Sequence, residues 1–181
     1  AGPCAHCGAA NDQPYIMAFD VGQGNCNALV GSNGTIVAYF DFGYSTENAK
    51  QPTPPTHPCL CDSPPIILSH WDRDHLNMAY EVPKSLTMDW VVPESGHSTF
   101  ATKLQGKIKA AGGRLHAVPF FGGRRPPRFP GGFVERCRAG CSATNGPGLA
   151  ALVCVRDAPA DRVAAGWGGA GAHPAGRGPG V

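Results

Sequence analysis

A chain of 181 residues with 42% hydrophobic content can form one domain around a buried core. Its formal charge of +2 excludes a global electrostatic pull toward nucleic acid, and no apolar run approaches the roughly 20 residues that cross a bilayer. Glycine (25) and proline (18) are abundant but unevenly placed, and they divide the chain into residues 1–14, an ordered region 15–156, and an Ala/Gly/Pro/Arg tail 157–181 too poor in apolar surface to order itself.

With no basic-then-apolar leader at its start, the chain is expected to be soluble and cytoplasmic, and, since its first residue is Ala1 and not Met, a fragment or a processed product is the expectation. In the first segment, Cys4 and Cys7 have zinc-knuckle spacing. A closed structural site there needs Cys59 and Cys61, or a partner pair before residue 1; otherwise the segment is disordered. Cys26 and Cys154 lie in apolar strand-like runs and read as small core residues.

Residues 15–21 read as a strand leading into the Gly22-Gln23-Gly24 turn. Residues 26–30 and 35–41 then pair across Gly31-Ser32-Asn33-Gly34 as a hairpin. Asp20 and Asp41 fall where strands end. Each is placed either to orient metal-binding imidazoles from behind or to cap a turn. Residues 44–65 carry six prolines, which exclude long regular structure, and His57 belongs to this loop.

The informative stretch follows. An apolar β-branched run, Ile66-Ile67-Leu68, breaks into Ser69-His70-Trp71-Asp72-Arg73-Asp74-His75, four metal-capable side chains within six residues. On a chain leaving a strand, His70 and Asp72 are two apart and point the same way, whereas Asp74 and His75 diverge as the backbone turns into a helix over residues 76–80. One pair suits one metal and the other pair a second. Two imidazoles and two carboxylates suit zinc, manganese or iron, with Asp72 hardening the site toward manganese or magnesium. The bland alternative is a polar loop with Asp74 as helix N-cap, which accounts for one carboxylate and leaves three donors unexplained.

Beyond it, residues 89–92 read as a buried strand closed by Pro93. Residues 98–111 read as a helix with Phe100, Leu104, Ile108 and Ala111 on its apolar face and Lys103, Lys107 and Lys109 outward, stopped by Gly112-Gly113. Residues 115–118 and 149–155 read as further strands. Between them, Arg124, Arg125, Arg128, Arg136 and Arg138 crowd a Gly/Pro-rich stretch that either grips phosphates or is a solvated loop.

Three of these segments together resemble the metallo-β-lactamase superfamily in its competence-type subgroup, the metal-dependent domain of DNA-uptake proteins. Ser69 to His75 resembles the His-x-(His/Asp)-x-Asp-His signature in its Asp-containing form. Phe19-Asp20-Val21-Gly22-Gln23-Gly24-Asn25 resembles that subgroup's Asp-Val-Gly-Gln-Gly-Asp, with Asn25 where Asp is usual. Tyr39-Phe40-Asp41-Phe42-Gly43 resembles the superfamily's Ile-Asp-Thr-Gly strand end.

The resemblance spans roughly residues 15–155. It implies an α+β chain with the four-layer αββα fold, of which the N-terminal half to two-thirds is present. It also implies a hydrolase using metal-activated water and two divalent ions, zinc or manganese, held by His70, Asp72, Asp74 and His75, with Asp74 also orienting the attacking hydroxide. Asn145 stands near the position where the subgroup replaces a further ligand histidine by Asn or Ser, leaving His97 and His116 as bystanders. The implied substrate is a phosphodiester or nucleic acid, with a lactam or a thioester as the alternative. The competing expectation is a non-catalytic metal-binding fragment acting as an interaction module.

Members of the superfamily continue into a Leu-Leu-x-Gly-Asp segment whose Asp bridges the metals, then into further strands and usually one more ligand histidine. Here the composition changes where that segment should begin. A one-base shift across residues 162–170 permits Trp-Leu-Leu-x-Gly-Glu, so a truncation or reading-frame error is expected, and the coding DNA beyond residue 155 decides it.

Overall fold

The computed structural model describes residues 8–45, 58–94, 98–119, 128–129, 132–136, 149–153 and 163–165. Cys4, Cys7, His57, His97, Arg124, Arg125, Arg138, Asn145 and Cys154 lie outside the described residues.

The fold is mixed α and β. One sheet has six strands in sequential order: β1 (Tyr15–Ala18), β2 (Cys26–Val30), β3 (Ile36–Phe42), β4 (Ile66–Ile67), β5 (Asp89–Pro93) and β6 (Arg114–Val118). The first three pair antiparallel, and β3 through β6 run parallel. A parallel step needs a crossover, and two of the three crossovers carry the helices: α1 (Met78–Glu81) between β4 and β5, and α2 (Thr99–Ala110) between β5 and β6. A second, antiparallel sheet comprises β7 (Arg128–Phe129), β8 (Gly132–Arg136), β9 (Leu149–Val153) and β10 (Val163–Ala165), in the order β10-β9-β8-β7. Among the described residues no helix is long and apolar enough to cross a membrane.

Two cores account for the layers. Because successive strand residues face opposite sides, Ala28, Tyr39, Ile66, Trp90 and Val92 join the core that holds Met78, Ala79, Leu104 and Ile108 of the helices. Their neighbours Leu29, Phe40, Ile67 and Val91 join a second core with Val134, Leu149 and Ala151 of the other sheet. The central strands are therefore buried on both faces, which is why they read as continuous apolar runs. Full burial of each Val, Leu, Ile, Phe or Met side chain among them contributes about 1.5–3 kcal/mol.

The 26–30/35–41 hairpin is present, closed by Gly31 N–H donating to Thr35 O and Gly34 N–H to Gly31 O. The helix expected over 98–111 is α2. The Ser98 side chain caps it by accepting from Ala101 N at 3.1 Å, and its buried face is Ala101, Leu104 and Ile108. Ala111 is exposed and not on that face, because the helix ends one residue earlier and the chain turns through Gly112 at φ +86°. The first strand stops at Ala18, three residues early; Phe19 N–H still donates to Cys26 O, after which the backbone leaves the ladder for the Gly22 turn at φ +70°. In the 157–181 tail, Val163–Ala165 pair antiparallel with β9.

One strand breaks the alternation, and it leads to the site. In β3, Asn27 pairs with Phe40 and Cys26 with Phe42, so Asp41 is an extra residue with no partner across the ladder. Its φ is +60°, the left-handed region that side chains other than Gly, Asn and Asp seldom enter. Such a bulge re-aims side chains. Phe40 stays in the inter-sheet core, Phe42 joins the helix-side core, and the Asp41 carboxylate goes to the strand end, fully buried.

Candidate metal centre

The segment leaving β4 is stapled onto two turns before its side chains matter. Asn25 N–H donates to Asp74 O at 3.1 Å, and Gly43 N–H donates to Asn25 O at 2.9 Å. Asn77, buried, accepts from Tyr44 N at 2.8 Å and donates to Tyr44 O at 3.1 Å, closing a two-point clamp. Glycine is required at both turns: a Cβ on Gly43 would collide with the carbonyl of Asp74 and with His75 Cα, and one on Gly24 with the backbone of Tyr44. The glycines of both N-terminal motifs thus let the backbone of the His70–His75 segment sit against them.

Within this cradle the side chains form a gradient of burial. Asp41, 0% exposed, is at the floor; the His70 and His75 rings, each 13% exposed, lie above it; Asp74 (33%) and Asp72 (50%) are at the rim. Asp41 accepts four hydrogen bonds: from Ser69 N (2.7 Å), Ser69 Oγ (2.8 Å), Asn25 Nδ2 (2.9 Å) and His75 Nδ1 (2.8 Å). A buried carboxylate needs such a set to offset the loss of water. Because Asp41 only accepts, the proton of neutral His75 sits on Nδ1, leaving the Nε2 lone pair facing Asp74, whose Oδ2 is 3.7 Å away. His70 Nε2 faces Asp72 Oδ2 at 3.2 Å, and the two rings lie 3.9 Å apart between centroids. The Arg73 guanidinium is drawn over the Phe100 ring, 5.4 Å from its centroid, while the ion-pair contacts of Asp72 and Asp74 run to the imidazoles.

The two imidazoles are tuned in opposite directions. Burial pulls His70 below the usual 6.5, and the neighbouring His75 lowers it further against the pull of Asp41, Asp72 and Asp74. Burial also lowers His75, but the hydrogen bond and charge of Asp41, backed by Asp74 and Asp72, outweigh it and hold His75 above its usual value. Nearby, the Cys26 thiol is pushed far up by burial and then by the charge of Asp41, so it is an inert core group.

The structure thus brings His70, Asp72, Asp74, His75 and Asp41 together. Asp20 is exposed, and its Oδ1 accepts from Gly22 N at 3.4 Å, as a turn-capping carboxylate does. Asp74 is not a helix N-cap; it lies inside a 3₁₀ turn, Arg73–His75, with Asp72 at the cap position and no side-chain cap bond. His116 is exposed on β6 with its Nε2 3.5 Å from Asp89 Oδ1. Cys59 is buried and Cys61 exposed, while Cys4 and Cys7 lie outside the described residues. Ser69 and Asn77 escape notice in the sequence, because a Ser before a His and an Asn at a helix start are common. Asn25 stands out there only as the residue in place of an Asp.

Among the described residues no group of three or more His, Cys, Asp or Glu side chains is arranged to hold one metal ion; the four donors stand as two His–Asp pairs whose rings adjoin at a 52° tilt. The donor chemistry nevertheless fits a divalent cation. Two imidazoles and two partly exposed carboxylates converge at one strand end, and His75 is backed by a carboxylate on its other nitrogen, the arrangement that orients metal-bound imidazoles. No protein-family model matches this chain, and no curated protein matches it significantly.

Proposed function

We propose that the chain is a metal-dependent hydrolase of metallo-β-lactamase type, with a phosphodiester, including nucleic acid, as substrate class. The observation that carries this reading is the Asp41–His75 contact: a buried carboxylate on Nδ1 leaves Nε2 free beside Asp74, the polarity a ligand imidazole needs. His70, Asp72, Asp74 and His75 would hold the ion or ions. A divalent cation bound there would supply Lewis-acid activation of water and neutralise charge developing on the scissile group.

The protein's own residues would do the rest. Asp74, one-third exposed at the rim, can accept a hydrogen bond from an attacking water and fix its direction. Asp41 holds the His75 ring still, and Gly24 and Gly43 let the backbone beneath the site pack without a gap. A helix layer, a six-stranded sheet and a four-stranded sheet packed in that order are compatible with three of the four layers of an αββα fold.

A second reading, ion binding without turnover, draws on the fact that the donors stand in pairs among the described residues. Hydrolysis of bis(p-nitrophenyl) phosphate by the full chain separates the two. Chelator-sensitive activity restored by zinc or manganese supports the hydrolase. Ion uptake with no turnover supports the binding module.

A further inference from the structure

Ser69 is 2% exposed and lies between Asp41 and His70. Its Oγ is 2.8 Å from Asp41 Oδ2 and 2.8 Å from His70 Nδ1. Its backbone is fixed independently: N–H donates to Asp41 Oδ1 at 2.7 Å, and the carbonyl accepts from Leu149 N at 2.8 Å, from the second sheet. A hydroxyl has one proton to give. Given to His70, it would leave two oxygens with no hydrogen between them at 2.8 Å, one of them on a buried carboxylate. Given to Asp41, it leaves the Oγ lone pairs toward His70, whose Nδ1 must then carry the proton.

We propose that Ser69 is the positioning residue for His70, relaying the demand of Asp41 so that one buried carboxylate sets the same tautomer on both imidazoles, directly on His75 and through a hydroxyl on His70. Both Nε2 lone pairs then face Asp72 and Asp74. A competing pull exists, since Asp72 Oδ2 stands 3.2 Å from His70 Nε2 and would favour a proton there. Asp72 is half exposed and water-screened, whereas the relay is buried and made of two 2.8 Å contacts, so the relay prevails. Its consequence for ion affinity rests on the reading of His70 as a ligand; the tautomer itself does not.

The test is long-range ¹H–¹⁵N correlation of the imidazoles in the full chain, kept metal-free with chelator at a pH where both rings are neutral. Wild type is expected to show Nδ1–H on both His70 and His75. Ser69→Ala should move His70 to Nε2–H, hydrogen-bonded to Asp72, leave His75 unchanged, and weaken zinc binding roughly 10–100-fold. Ser69→Thr, which keeps a hydroxyl, should restore the wild-type tautomer. A wild-type His70 already protonated on Nε2, or one whose tautomer ignores Ser69→Ala, overturns the relay. If wild type takes up no zinc, the ligand reading fails while the tautomer comparison still decides the role of Ser69.

Discussion

Asp41 Oδ2 and His75 Nδ1 lie 2.8 Å apart although their residues are 34 positions apart in the chain, and Asp41 reaches that position only by entering the left-handed region at φ +60°. A non-glycine residue held in this conformation costs about 1–3 kcal/mol and persists only where the surroundings over-determine it, which here four hydrogen bonds do. Asp41→Asn keeps the shape but sets an amide against donors. It should destabilise the fold by about 2–4 kcal/mol and weaken zinc binding roughly 10–100-fold. Denaturant unfolding in chelator and a zinc titration read the two effects separately.

The glycines divide by what surrounds them. Gly43→Ala drives a methyl into the backbone of Asp74 and His75 and should cost about 3 kcal/mol, with the loss appearing in ion binding as well. Gly106→Ala, in the exposed middle of α2 with nothing within reach of a Cβ, should instead stabilise by about 0.5–1 kcal/mol. Thermal melts of the two variants should shift in opposite directions.

The Asn77 clamp predicts a local effect. Asn77→Ala leaves the Tyr44 N–H and carbonyl without partners and should cost about 2 kcal/mol. Hydrogen exchange at the Tyr44 amide should accelerate by more than exchange in β5, since the lost contacts join the site segment to the 43–45 turn and not to the core.

The opposed imidazoles predict a pH signature in the metal-free protein. His75 is held above 6.5, so the folded state binds the extra proton; its contribution is complete below 6.5 and is lost as pH rises through the raised value. His70 is held below 6.5, so the unfolded state binds the extra proton; stability is lost as pH falls from 6.5 through the lowered value. Compared with wild type, His75→Gln should flatten the alkaline flank of a stability–pH profile, and His70→Gln the acid flank. Urea midpoints across this range check both signs.

Much of the central sheet was legible in the chain because its strands are buried on both faces. The runs at 26–30, 66–68 and 89–92 are apolar apart from Asn27 and Asp89, and helix α2 shows its period and its Ser98 cap. The four donors at 70–75 were legible because no packing argument explains them. The way they are held was not. A bulge at Asp41 has no sequence signature when the left-handed residue is not glycine, and the Ser69 hydroxyl has meaning only once β3 and β4 lie side by side. The second sheet is legible only at β9. The segments 128–129 and 132–136 sit among glycines, prolines and arginines that mask short strands, and Val134 becomes a core residue only by packing against Ile67 and its neighbours.

The central claim is that His70, Asp72, Asp74 and His75 hold divalent cations, and calorimetric titration of the metal-free full chain with zinc tests it most directly. Uptake of two equivalents that the His70→Ala/His75→Ala double variant abolishes, while Cys4→Ser/Cys7→Ser leaves it intact, is the predicted result. No uptake by wild type, or uptake that survives in the histidine double variant and disappears with the two cysteines, would contradict it.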